Sequence, residues 1–150
     1  MGYQNILIAV DLTDEAVEVF SAARNVAEEQ DSANVAACTI VRPLARTYGG
    51  LDMANVVAGA PFEEEMRTQA RDKLETLGNT FGVAEANTYV RMGAPAAEIR
   101  GLADELQTDL IVIGTHGRHG LGLLLGSTAN AVLHGVECDV LVVKIHPAAE

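Results

Sequence analysis

DLIVIGTHGRHGLGLLLGSTANAVLHGVECDVLVVKI, residues 109–145, reads as strand, glycine loop, helix and strand. Leu110–Ile113 is a short apolar run with β-branched residues, the pattern of a strand buried on both faces. Gly114, Gly117, Gly120 and Gly122 then interrupt any regular element, and Gly126-Ser127-Thr128 opens the next helix. Ser127 or Thr128 is the expected N-cap. Ala129, Val132, Leu133 and Val136 supply one apolar face at helical spacing. Asp139–Ile145 is a second buried strand.

That loop has the chemistry of an anion cradle. Glycine lets the backbone turn sharply and come close to a ligand, because no Cβ intervenes. A helix N-terminus presents unpaired N–H groups and a partial positive charge, and the two together hold phosphate. Ser127 and Thr128 add hydroxyl donors, and Arg118 is the only permanent cation of the loop. A glycine loop that merely makes a tight strand–helix connection would show the same spacing, so spacing alone leaves both readings open.

The rest of the chain repeats the strand–helix alternation. Asn5–Val10, NILIAV, is apolar almost throughout, as a central parallel strand is. Asp11 follows it, Thr13 is placed to cap a helix, and Ala16, Val19, Phe20, Ala23, Val26 and Ala27 form that helix's inward stripe. Val35–Val41 is the second strand. Residues 42–60 lack periodicity and hold Pro43, Tyr48 and three glycines, so a long loop is expected, serving as a lid or as a dimer surface. Pro61 is expected to start a helix whose stripe is Phe62, Met66, Ala70, Leu74 and Leu77, with Gly78 and Gly82 ending it. Asn87–Arg91 is a third, less apolar strand suited to a sheet edge. Pro95 starts a helix that turns Ile99, Leu102, Ala103 and Leu106 inward, after a turn at Gly93. Five strands alternating with four helices call for an α/β fold: an open, parallel, five-stranded sheet with helices on both faces and right-handed crossovers. In such sheets the ligand crevice lies at the carboxyl ends of the strands, where the strand order reverses. Asp11 belongs to that crevice if its strand neighbours Leu110–Ile113; otherwise it caps the turn into the first helix.

Three motifs taken together carry a family resemblance. They are NILIAVDLT near the start, GAPAAEI at Gly93–Ile99, and GTHGRHGLGLLLGSTANAVLH followed by CDVLVVK. The combination resembles the universal stress protein family, and it spans the chain nearly end to end. Nucleotide-binding members carry Gly-x-x-Gly, a spacer of about nine residues, then Gly-Ser or Gly-Thr. Gly114, Gly117, Gly126 and Ser127 match, with a spacer of eight residues from Arg118 to Leu125, one short of the family pattern. The resemblance implies strand order 3-2-1-4-5 in a Rossmann-like, adenine nucleotide alpha hydrolase-like fold. It implies ATP as ligand: adenine beside the backbone of Ile40, ribose near Asp11, and phosphates on Gly117, Gly126, Ser127 and Thr128, with Gly114 in the same motif. His116 reads as a donor near phosphate or ribose, and Mg²⁺ held near Asp11 is the condition for slow hydrolysis. From the residues alone Ile40 is only a buried β-branched side chain. The resemblance further implies a homodimer through the last strand, at Val140, Leu141, Val142, Val143 and Lys144, and an unknown protein partner for a regulatory module. Two other functions stay open: a dimeric stress-response scaffold that binds no nucleotide, and a slow ATP hydrolase.

Composition excludes several classes. At 150 residues one domain, 1–150, is expected, and a chain of this size buries about 70% of its unfolded surface without a staple. A net charge of −11 argues against nucleic acid. The apolar run at the N-terminus is too short for a signal peptide or membrane span, so a cytoplasmic protein is expected. Cys38 and Cys138 are expected to be buried, reduced thiols rather than a zinc site or a disulfide. His116 and His119 stand three apart in an irregular segment without a cysteine or carboxylate cluster, so no metal site is expected there. The chain has no GxxxxGK[ST], GxSxG or GxGxxG motif and no strong candidate for an activated nucleophile. Efficient catalysis is not expected.

Overall fold

The computed structural model describes residues 2–43, 53–115 and 125–146, and for 53–61 the backbone alone. The chain runs β1 (Asn5–Ala9), α1 (Ala16–Glu28), β2 (Asn34–Val41), α2 (Met53–Thr80), a short 3-10 turn at Glu85–Asn87, β3 (Thr88–Met92), α3 (Pro95–Glu105), β4 (Leu110–Gly114), α4 (Ser127–Gly135) and β5 (Asp139–Val143). The five strands form one sheet in the order β3-β2-β1-β4-β5. Every neighbouring pair is parallel, with Ile6 opposite Val35 on one side and Leu110 on the other. The order reverses between β1 and β4, so the crevice predicted from the strand pattern lies there.

Alternation along the strands builds two cores. Ile6, Ile8 and Val10 of the first strand join Leu110 and Val112 of β4 on one face. That face is covered by α1 over β1, β4 and β5, and by α2 over β2 and β3. Leu7 and Ala9 join Ile111 and Ile113 on the other, beneath Ile99, Leu102 and Ala103 of α3 and Ala129 and Val132 of α4. Both sides of the central strands are therefore dry, which is why NILIA and LIVI carry no polar residue after Asn5.

Several boundaries differ from the sequence reading. Helix α2 begins at Met53, not at Pro61, which lies inside it. The run MANVVAGA has a single polar residue, Asn55, too few for a 3.6-residue period to register, so the signal was silent where the helix was not. Phe62, read as part of the buried stripe, is 52% exposed, whereas Leu74 is fully buried. Gly78 is also inside α2. Gly82 alone ends it, with φ +82°, its N–H on the Asn79 carbonyl and the Val83 N–H returning to the Gly78 carbonyl at 2.7 Å. This is the Schellman arrangement, which needs a left-handed residue at the position Gly82 holds. Thr13 does not cap α1 through its side chain; the turn is closed by main-chain bonds from Thr13 N–H to Asp11 and from Ala16 N–H to Thr13. The first strand stops at Ala9 and the third shifts to Thr88–Met92. The last ends at Val143, leaving Lys144 and the buried Ile145 beyond it. Cys38 is buried in β2, but Cys138 precedes β5 and is half-buried; both are free thiols. Burial pushes the Cys38 thiol up to about 12, so it is unreactive at neutral pH. The Tyr48 and loop readings for residues 44–52 lie outside the described residues.

Gly93, at the turn into α3, holds φ +145° with its N–H on the Val41 carbonyl at 3.0 Å. A Cβ there would stand 3.0 Å from Glu98 Cγ, which can swing aside; the backbone cannot. Gly93→Ala is therefore expected to cost about 1–3 kcal/mol, read as a lower denaturant midpoint. A cost below about 0.5 kcal/mol, the scatter of neutral surface changes, would mean the turn relaxes.

Candidate functional site

Three sets of polar groups that have no partner among the described residues meet at the carboxyl end of β1. The first is the main chain of Ile40. Strand β2 outlasts β1: Val10 N–H reaches the Cys38 carbonyl at 3.1 Å, and there the pairing stops. Val41 turns its carbonyl toward β3, where Gly93 N–H binds it. Main-chain groups alternate sides along a strand, so Ile40 points its N–H and C=O toward the space above β1. Neither makes a hydrogen bond with a described residue. The Ile40 side chain packs partly buried on the α3/α4 core.

The second is the Asp11 carboxylate. Asp11 is exposed and shapes the turn into α1 with its backbone carbonyl, which accepts the Thr13 N–H at 2.8 Å. Its side chain makes no hydrogen bond with a described residue, so the capping role considered for it is not the one it performs.

The third is the start of α4. Gly126, rather than Ser127 or Thr128, is the N-cap, with φ −62° and ψ 155°. Its carbonyl accepts the first helical bond, from Asn130 at 2.9 Å, and its N–H is held by the Thr115 carbonyl. Ser127, Thr128 and Ala129 are then the first three helical residues, and their N–H groups meet no carbonyl among the described residues. No side chain caps this end. Among the described residues these amides have no partner, the arrangement that suits an anion. The Gly126 amide is an exception, being engaged by the protein itself.

Thr115, which the sequence reading passed over, ties this end to the sheet. Its N–H donates to Val143 at 2.9 Å, its Oγ1 accepts the Ile145 N–H at 3.1 Å, and its carbonyl holds Gly126. A polar residue directly after a buried strand was the available signal. Gly114 has a packing reason of its own: a Cβ would sit 3.2 Å from Ile145 Cδ1 and 3.4 Å from Val19 Cγ2. Asp11, Ile40, Gly114, Gly126, Ser127 and Thr128 thus gather at one end of the sheet. His116 and Gly117, with Arg118 and His119, lie outside the described residues. At the opposite, amino end, a cleft lined by Asp104, Asp109, Glu137 and Asp139 is too acidic to attract an anion. Among the described residues no three metal-ligating side chains gather, and no helix is long and apolar enough to cross a membrane.

Residues 2–144 match the universal stress protein family model. The chain belongs to the universal stress protein family. Universal stress protein A homolog 1 of Coxiella burnetii is 36% identical over 143 residues, covering 95% of this chain and 97% of that one. Among solved structures, the universal stress protein UspA of Lactobacillus plantarum superposes with a TM-score of 0.80 at 26% identity, over 95% of this chain and 99% of that one. Two others with the same fold hold nucleotides. A universal stress protein in complex with cAMP has a TM-score of 0.61 at 24% identity, over 97% and 100% of the two chains. The Archaeoglobus fulgidus protein in complex with dAMP has 0.53 at 24%, over 96% and 100%. This family membership and the Rossmann-like sheet in the order 3-2-1-4-5 agree with the expectation from the three motifs.

Proposed function

We propose that this universal stress protein is an ATP-binding, dimeric regulatory module. The observation that carries the reading is the convergence at the end of β1 of groups with no partner among the described residues: the main-chain donor and acceptor of Ile40, the carboxylate of Asp11 and the amides of Ser127, Thr128 and Ala129. Adenine offers one donor and one acceptor on an edge, which suits Ile40. A ribose hydroxyl suits Asp11, and phosphates suit the helix end at Gly126, Ser127 and Thr128, near Gly114; His116 and Gly117 of the same motif, which lie outside the described residues, are proposed to join them. Mg²⁺ commonly arrives with the phosphates and takes one or two carboxylates from a protein, so Asp11 fits it without a dedicated cluster. The cAMP and dAMP complexes of relatives support an adenine nucleotide as the ligand class. Among the described residues no group is placed to activate a nucleophile, so the reading is of a binding module, with hydrolysis at most slow. Occupancy would bias the glycine loop, since a ligand shifts an equilibrium by its differential affinity for two states. The loop would then alter the surface offered to a protein partner. The dimer would form through Val140, Leu141, Val142, Val143 and Lys144, because β5 is the sheet edge beside β4 and its apolar residues are only half-buried. Free thiols agree with a cytoplasmic setting.

Thermal denaturation with Mg·ATP tests the reading. Binding at 100 times Kd is expected to stabilise by about 2.7 kcal/mol. Gly126 supplies a control. Its φ of −62° suits any residue, but valine is a poor N-cap, so Gly126→Val should lose about 1 kcal/mol of stability, and its loss of the shift is read against its own nucleotide-free melting temperature. Asp11→Ala should weaken it. No shift in the parent would leave the nucleotide-free scaffold, a reading the engaged Gly126 amide favours. A monomer at micromolar concentration in sedimentation would remove the dimer without touching the nucleotide site.

A further inference from the structure

The open end of α4 is useful to an anion only if the helix is held in place. With nine residues it is too short to be stable alone. Ala129 and Val132 anchor its inner face. The Gly126 N–H fixes its start to Thr115. A third tie comes from outside the site. Arg100, on α3, reaches across and donates from Nη1 to the Ala131 carbonyl at 3.2 Å. Its guanidinium lies toward the negative end of the α4 dipole, where a cation is favoured. The path for this side chain is cut through Gly135: a Cβ there would stand 2.6 Å from Arg100 Cδ and 2.8 Å from Nη1. Helix interiors favour alanine over glycine by about 1 kcal/mol. The glycine in the last turn of α4 therefore has a local cost, and the room it leaves is filled by Arg100.

We propose that Arg100, seated over Gly135, is a positioning residue that holds α4 so that its first amides face the crevice beside β1. It touches no ligand and acts through the helix. The inference rests on the nucleotide reading only for its consequence on affinity; the placement of α4 is testable without nucleotide.

The experiment combines amide hydrogen exchange on the full chain with Mg·ATP titration, for the parent, Arg100→Met, Arg100→Lys and Gly135→Ala. Arg100→Met keeps the apolar stem. It is expected to speed exchange at the Gly126 and Asn130 amides about 10-fold while leaving core amides such as Ile111 and Val112 unchanged. Mg·ATP affinity should fall about 5-fold, the worth of one lost hydrogen bond. Arg100→Lys should recover part of both, because it keeps the charge without the fork. Gly135→Ala should resemble Arg100→Met in the parent background. In an Arg100→Ala background it should become neutral or stabilising, the coupling a double-mutant cycle detects. Unchanged exchange at Gly126 and Asn130 in Arg100→Met would overturn the proposal, whatever happens to affinity. So would a uniform rise across all amides, which marks general destabilisation. A parent that binds no nucleotide would sink the functional reading alone, and the exchange data would still decide the role of Arg100.

Discussion

Phe20→Ala is expected to destabilise the protein by about 3–5 kcal/mol, out of the 5–15 kcal/mol that a domain typically has. Phe20 is fully buried on α1, in the core it shares with Ile6, Ile8, Leu74 and Val112. Its ring lies 5.5 Å from that of Phe81, tilted by 31°, and Arg24 stacks over the Phe81 ring at 4.9 Å. One side chain thus joins the sheet, α1 and the end of α2. The strands beneath it are packed on both faces, so they cannot close the gap. Cavities that cannot collapse are the costly ones. Phe62, half-exposed on α2, provides the contrast: Phe62→Ala should stay within about 0.5 kcal/mol. Guanidinium unfolding with unchanged m-values would read both. A loss below about 1 kcal/mol for Phe20 would mean that this core is not the one that holds α1 on the sheet.

The contrast between the two phenylalanines marks where the sequence could be read. Strand assignments needed only short apolar runs, and all five strands stand within a few residues of their expected places. The parallel sheet followed from alternation of strands with helices. Its order came with the family resemblance rather than from periodicity. Helix α2 was half legible. Its second half alternates charged and apolar residues, whereas Met53–Ala60 is mostly small and apolar with Asn55 its one polar residue, and Pro61 resembled a beginning. A proline inside a helix loses one main-chain bond and crowds the preceding turn, a penalty that a 28-residue helix packed on two strands can absorb.

The site was legible as residue types and not as orientations. Asp11 and the Gly126-Ser127-Thr128 step fit an anion site by residue type, but a turn cap and a tight connection fitted them as well, and the family resemblance tipped the reading toward a site. Two features could not be foreseen. The open main chain of Ile40 exists because β1 stops one residue before β2 turns its carbonyls that way, a relation of register between two strands. The engagement of the Gly126 amide by Thr115 depends on where α4 lands on β4. Both are main-chain facts, and side-chain patterns carry no signal for them. They also sharpen the proposal: among the described residues, a phosphate bound as proposed would meet the amides of Ser127, Thr128 and Ala129, because Thr115 already holds that of Gly126.

Register has a counterpart at the other end of the sheet, and it yields the second large effect. Asp109, the residue before β4, accepts hydrogen bonds from Gln4 N–H at 2.8 Å and Asn5 N–H at 2.9 Å, one on each carboxylate oxygen. Its own N–H returns to the Asn5 carbonyl at 2.9 Å. The carboxylate thereby fixes the first residues of β1 against β4, across 104 positions of sequence. Bonds to a charged acceptor are worth about 1.5–3 kcal/mol each, and Gln4 is exposed enough for water to replace part of its share. Asp109→Ala is therefore expected to cost about 2–4 kcal/mol. Asp109→Asn should lose most of the same amount, because its amide NH₂ would face one of the two donors. The chain would still fold on its two cores, and the crevice lies at the far end of the strands. Mg·ATP affinity, measured where each variant is fully folded, should then match the parent. Equal stability of all three proteins would show that the start of β1 is held by burial alone. Loss of nucleotide binding with stability intact would place the ligand at the amino end of the sheet and remove Ile40 and Asp11 from its site.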